Sequence, residues 1–169
     1  MKWQIRKGVW ETNSSSQHTL QISADLMKDC ELTVKKDGYV HVNLNEYYGR
    51  EFREYTTQEE KLKYICTWMF IYYGCDIEKL KVGYEWEKFV YKFCDYVNSH
   101  RNPKVRNYMC VGIEIGKIRG DGEVYDFLDH QSQPYGSFDQ DGFILDIYDT
   151  DQLINFIFNP YVWLQTSSD

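Results

Sequence analysis

The chain has 169 residues, 43% of them hydrophobic, which is enough apolar mass to fill one core and too little length for two ordinary domains. Its longest apolar stretch, residues 65–73, is about half a membrane span, and residues 1–6 hold no apolar leader region, so a cytoplasmic protein without a membrane helix is expected. The net charge of −7 argues against docking on nucleic acid by counterion release alone.

Residues 3–10 read as an opening strand, 11–17 as a polar loop, and 19–22 as a short strand. Residues 32–35 and 39–44 flank Asp37 and Gly38; Asp-Gly supplies the positive φ angles of a type I′ turn, so a β-hairpin is expected there. Thr57 and Glu60 form a capping box, and Gly74 is placed to end the helix that follows. Leu62, Ile65, Met69 and Tyr72 fall on one stripe of that helix, with Trp68 alongside. A second helix is expected over 84–98, with Trp86, Phe89, Val90, Phe93 and Val97 facing the core and Pro103 closing it. Strands return at 109–115, 123–128 and 143–147. Asp149 and Asp151 begin a third helix carrying Leu153, Ile154, Ile157 and Phe158, Pro160 stops it, and 161–164 form a last strand. This order predicts a single-domain α+β fold over 1–169, with a mixed, mostly antiparallel sheet and about three helices on one face.

The five cysteines form no C-x-x-C pair and read as reduced, mostly buried thiols. Charge is split along the chain. The first 119 residues carry 19 basic and 16 acidic side chains, whereas the rest carry ten acids and no Lys or Arg. Such asymmetry fits a partner interaction at one end, or a solvated acidic face. Residues 139–142 resemble a calcium loop only superficially: the glycine arrives two positions early and no closing glutamate follows. A hairpin turn at Asp141 and Gly142 is the simpler reading. No spacing among the late acids singles out a two-metal site, so no metal and no cofactor are expected.

Two polar segments carry the chemistry. Residues 11–18 read Glu-Thr-Asn-Ser-Ser-Ser-Gln-His; such hydroxyls and backbone N–H groups can cradle a phosphate, and a histidine moves protons near neutral pH. Residues 129–132 read Asp-His-Gln-Ser and follow an expected strand. Each segment alone is also what a capped turn or a strand end looks like. Together they offer two histidines for one phosphodiester: one takes the proton of a 2′-hydroxyl, the other protonates the leaving oxygen, and no metal is needed. His18 and His130 fill those roles, Glu11 and Asp129 orient them, and Asn13, Ser14, Ser15, Ser16, Ser132 and Arg6 hold the phosphate. The nucleophile restricts this mechanism to RNA. Two other readings use the same sequence. One is a non-enzymatic inhibitor whose carboxylates, Asp139, Asp141, Asp149 and Asp151 among them, imitate nucleic acid. The other is a nucleotide-modifying transferase.

Residues 6–20, Arg-Lys-Gly-Val-Trp-Glu-Thr-Asn-Ser-Ser-Ser-Gln-His-Thr-Leu, resemble the opening block of a group of small proteins from phages, prophages and plasmids of low-GC Gram-positive bacteria. The Asp-His-Gln-Ser at 129–132 and the Phe-Ile-Phe-Asn-Pro at 156–160 are similar to two later blocks of that group. Trp10 stands where the group has Phe, Thr19 where it has Ser, and Tyr-Val-Trp follows Pro160 where Asn-Ser is usual. The resemblance implies mobile-element origin and a counter-defence role of the anti-CRISPR kind, with a host ribonucleoprotein such as Cas9, or its RNA, as partner.

Overall fold

Local side-chain chemistry sets the helix ends. In the computed structural model, which describes residues 16–21, 30–44, 53–101, 108–118 and 145–168, the elements in chain order are β1 (Ser16–Gln21), β2 (Tyr39–Leu44), β3 (Arg53–Tyr55), α1 (Gln58–Tyr72), α2 (Ile77–Lys81), α3 (Tyr84–His100), β4 (Gly112–Ile118), α4 (Thr150–Phe158) and β5 (Trp163–Ser168). The fold is α+β. The expected strands at 3–10 and 123–128, the turn at 139–142 and the stop at Pro103 lie outside the described residues.

Thr57 caps α1 as its sequence predicts. Its hydroxyl accepts from Glu60 N–H at 3.2 Å, and the Glu60 carboxylate accepts from Thr57 N–H at 3.1 Å. Thr57→Ala is expected to cost about 1 kcal/mol, read as a lower urea midpoint at unchanged slope. The other end closes in a Schellman motif: Gly74 N–H bonds Ile71 O, Cys75 N–H bonds Phe70 O, and Gly74 takes φ +70°. The sequence gives no sign of α2, a five-residue helix capped by Asp76. Asp149 caps α4 as expected, accepting from Gln152 N–H at 3.0 Å.

The stripe read from α1 is only part of its buried surface. Leu62, Ile65, Trp68 and Met69 are buried, but so are Tyr64, Cys66, Thr67 and Phe70, while Tyr72 is exposed. A helix covered on all sides is central. Accordingly α1 packs against α4 and β2, while α3 packs against α4 and β4. Phe156 meets Tyr64 edge-on, and Trp86, Phe89, Phe93 and Phe158 run in a chain of ring contacts. The buried apolar residues of both sheets and all four helices form one cluster.

The hairpin is corrected in two ways. The turn is not type I′: Asp37 keeps a negative φ, and only Gly38 is positive, at +87°. Gly38 N–H bonds Lys35 O and Lys35 N–H bonds Tyr39 O, a type I turn closed by glycine. The Asp37 carboxylate explains the choice, because it accepts from Tyr39 N–H at 3.0 Å and contacts His41 Nε2 at 2.7 Å. Beyond the turn, residues 31–35 form no strand; β2 pairs in parallel with β4 instead. The strand expected at 109–115 begins later, at Gly112, and residues 145–147 are loop and turn, not strand.

A single mixed sheet is likewise not what forms among the described residues. The three-stranded sheet is wholly antiparallel, in the order β1-β5-β3, and the β2–β4 pair is separate and parallel.

Between α4 and β5 the chain turns sharply, and a buried lysine holds the turn. Lys61 of α1 is 1% exposed, and its ammonium donates to Asn159 O at 2.8 Å and Val162 O at 3.0 Å. It also stands 5.7 Å from the centre of the Phe156 ring. The Phe-Asn-Pro block at 158–160 is thus the bend that sends β5 into the sheet.

Candidate functional site

Strand pairing places the first polar segment. Residues 16–21 enter the three-stranded sheet as β1, so Ser16 and Gln17 belong to regular paired backbone and not to the loop expected over 11–17, and His18 follows them in the same strand. β5 pairs with the backbone groups along one edge of this segment. Register sets Ser16 opposite Ser168, and His18 opposite Thr166. Thr166 is opposed on its other side by Arg53 of β3. His18, Thr166 and Arg53 therefore stand in one row across three strands. Neighbouring strands lie about 4.8 Å apart, so the row's outer Cα positions are about 10 Å apart.

The next row of the same pleat parity, two residues along, is Leu20, Leu164 and Tyr55. Leu164 and Tyr55 are buried there, at 3% and 1% exposure. The row of His18, Thr166 and Arg53 is the next of the same register parity along the three strands. The intervening row of opposite parity is Thr19, Gln165 and Glu54, of which Glu54 is exposed.

Lys61 anchors this arrangement from below. It ties Val162, the residue before β5, to the central helix, and so fixes the strand that carries Thr166. Burial without a carboxylate pulls the Lys61 ammonium down from the usual 10.5 to about 8.

Of the sequence-derived site, His18 and Ser16 lie in β1, while Arg6, Glu11, Asn13, Ser14, Ser15, Asp129, His130 and Ser132 lie outside the described residues. The row adds two residues that sequence reading missed, Arg53 and Thr166. No local pattern marks them: β3 is three residues long, and only its pairing with β5 brings Arg53 into line. The remaining histidines stand elsewhere. His41 on β2 pairs with Asp37, and His100, the last residue of α3, stacks on Tyr96 with ring centres 3.9 Å apart.

The described late acids have structural partners. Asp146 accepts from Tyr148 N–H at 2.9 Å, Asp149 caps α4, and Asp151 pairs with Lys92 of α3. Among the described residues no group of three or more His, Cys, Asp or Glu side chains is set to hold a metal, and no helix is long and apolar enough to cross a membrane. Compared with family models, with curated proteins and with solved structures, the chain matches none.

Proposed function

We propose that this is a counter-defence protein of a mobile element that works in the host-cell cytoplasm and cleaves RNA at a phosphodiester without a metal ion. The supporting observation is the row of His18, Thr166 and Arg53, set where the polar segment 11–15 runs into β1. Its register brings a histidine, a threonine and an arginine into one backbone row, the residue types that 2′-hydroxyl attack on phosphorus requires. Histidine moves the proton near neutral pH, and arginine offers fixed donors to the charge that builds on the phosphorane. His130 serves as the second proton-transfer group, with Glu11 and Asp129 orienting the pair. Asn13, Ser14, Ser15, Ser16 and Ser132 hold the phosphate beside Arg6. The substrate class is structured RNA, such as the guide RNA of a defence ribonucleoprotein like Cas9.

The nucleic-acid mimic gains less support, because Asp149 and Asp151 are engaged within the fold. Reversing their charge removes a helix cap and an ion pair before it touches any partner.

The test is incubation of the purified protein with end-labelled structured RNA in EDTA, beside His18→Ala and Arg53→Ala. Cleavage should leave 2′,3′-cyclic phosphate ends. His18→Ala should slow it by about 10²-fold or more, and Arg53→Ala by roughly 10²- to 10³-fold. A His18→Ala protein that cuts at the wild-type rate ends the proposal.

A further inference from the structure

Cys94 and Cys110 are 16 positions apart in sequence, yet their Sγ atoms lie 3.3 Å apart in the core. Both are free thiols and both are buried, at 9% and 2% exposure. Their positions are held from one helix. Cys94 is on α3, and Asn98, one turn further along, grips the backbone of Cys110 twice. The Asn98 amide donates to Cys110 O at 3.1 Å, and its carbonyl accepts from Cys110 N–H at 2.8 Å. The contact is therefore built by α3 and not left to the loop that delivers Cys110. Buried Arg101 donates from Nη1 to Tyr108 O at 2.7 Å, two residues before Cys110.

We propose that Cys94 and Cys110 form a peroxide-responsive dithiol that closes to a disulfide and clamps α3 to the start of β4. The Cys110 sulfur attacks one oxygen of hydrogen peroxide and the O–O bond breaks. Cys110 is left as a sulfenic acid, and the displaced hydroxide takes up a proton to leave as water. The Cys94 sulfur then attacks the Cys110 sulfur, the S–O bond breaks, and a second water leaves as the S–S bond forms. Two thiols are oxidised by two electrons and one peroxide is reduced to two waters. The order of attack follows from the contact itself. The contact between the two sulfurs holds the Cys110 thiol below the usual range and the Cys94 thiol above it, and the Arg101 charge adds to the lowering at Cys110. The reacting oxidant must be small, because neither sulfur is open to a bulky disulfide.

The test treats the full chain with a small excess of hydrogen peroxide and then alkylates under denaturing conditions. The intact mass should fall by two hydrogens, and the count of alkylatable thiols should drop from five to three. Peptide mapping should join Cys94 to Cys110, and a reductant should restore all five thiols. Cys94→Ala should remove the cross-link and let a sulfenic-acid trap label Cys110 instead, with far-ultraviolet circular dichroism confirming the fold. A cross-link to Cys30, Cys66 or Cys75, or oxidation of Cys110 to the sulfinic acid in the wild type without loss of two hydrogens, overturns the proposal.

Discussion

Phe158→Ala is expected to destabilise the protein by about 3–5 kcal/mol, the range for emptying a fully buried aromatic site. Phe158 ends α4 and is fully buried. Its ring stacks on Tyr96 with centres 4.1 Å apart and lies 5.8 Å from Phe93, so it joins α4 to α3 at two levels. Tyr96 stacks on His100 in turn, so removing the Phe158 ring opens one end of a three-ring column. The loss should lower the thermal midpoint by about 10 °C, because each kcal/mol is worth about 2–4 °C in a chain of this size. Tyr161, three residues further and exposed, is the control: Tyr161→Ala should change stability by no more than about 0.5 kcal/mol. A Phe158→Ala protein within about 1 kcal/mol of wild type would mean that this aromatic column does not carry the α3–α4 contact.

The second large effect concerns Lys61 and depends on pH. Its proton binds less well in the folded chain, where the group titrates near 8, than in the unfolded chain, where it titrates near 10.5. Below pH 8 both states are protonated and the fold bears the full cost of the buried charge. As pH rises from about 8 to 10.5, the folded chain sheds the proton first and stability contributed by this group increases. At 1.36 kcal/mol per pH unit, the gain across that window is roughly 3 kcal/mol. Lys61→Met removes the charge but strips two carbonyls, Asn159 O and Val162 O, of their donor. A buried acceptor left unpaired costs about 1–3 kcal/mol, so near pH 7 the two effects largely cancel. The wild type should then pull ahead of Lys61→Met by roughly 3 kcal/mol between pH 7 and pH 10.5. Urea unfolding of both proteins at the two pH values measures it, and the comparison subtracts every other titrating group. A constant difference would show that the fold holds the Lys61 proton as firmly as the unfolded chain does, so that burial does not shift this group.

What the sequence disclosed and what it hid divide along a physical line. The Thr57–Glu60 box, the Gly74 stop and the Asp149 cap were legible because each is a contact between residues a few positions apart. Partners distant in the chain were not. Residues 39–44 read as a strand from the Asp37–Gly38 turn beside them, and a turn signal points only to the neighbouring segment 32–35, so the parallel pairing of β2 with β4 was missed. The Asp37 turn failed at a finer level: Asp-Gly permits type I′, and the hydrogen bond from Tyr39 N–H to the Asp37 carboxylate favours another turn. For the candidate site, the polar segment was visible by composition and His18 was named from it. Arg53 and Thr166 became visible only through β5, because neither belongs to a run with a chemical signature of its own.

The order β1-β5-β3 has a consequence for how the chain is made. Synthesis runs from the N-terminus, so β1 and β3 leave the ribosome long before the strand that lies between them. Until residues 163–168 emerge, the row of His18 and Arg53 has no middle, and two strand edges wait without the ladder that will satisfy them. Helix α1, with its local cap, can form early; the sheet must wait for its last piece. Long-range pairing of this kind slows folding and leaves edges open to other chains meanwhile. The register of the row therefore waits for β5: a chain released before residue 163 would carry His18 and Arg53 without the strand that sets them opposite one another.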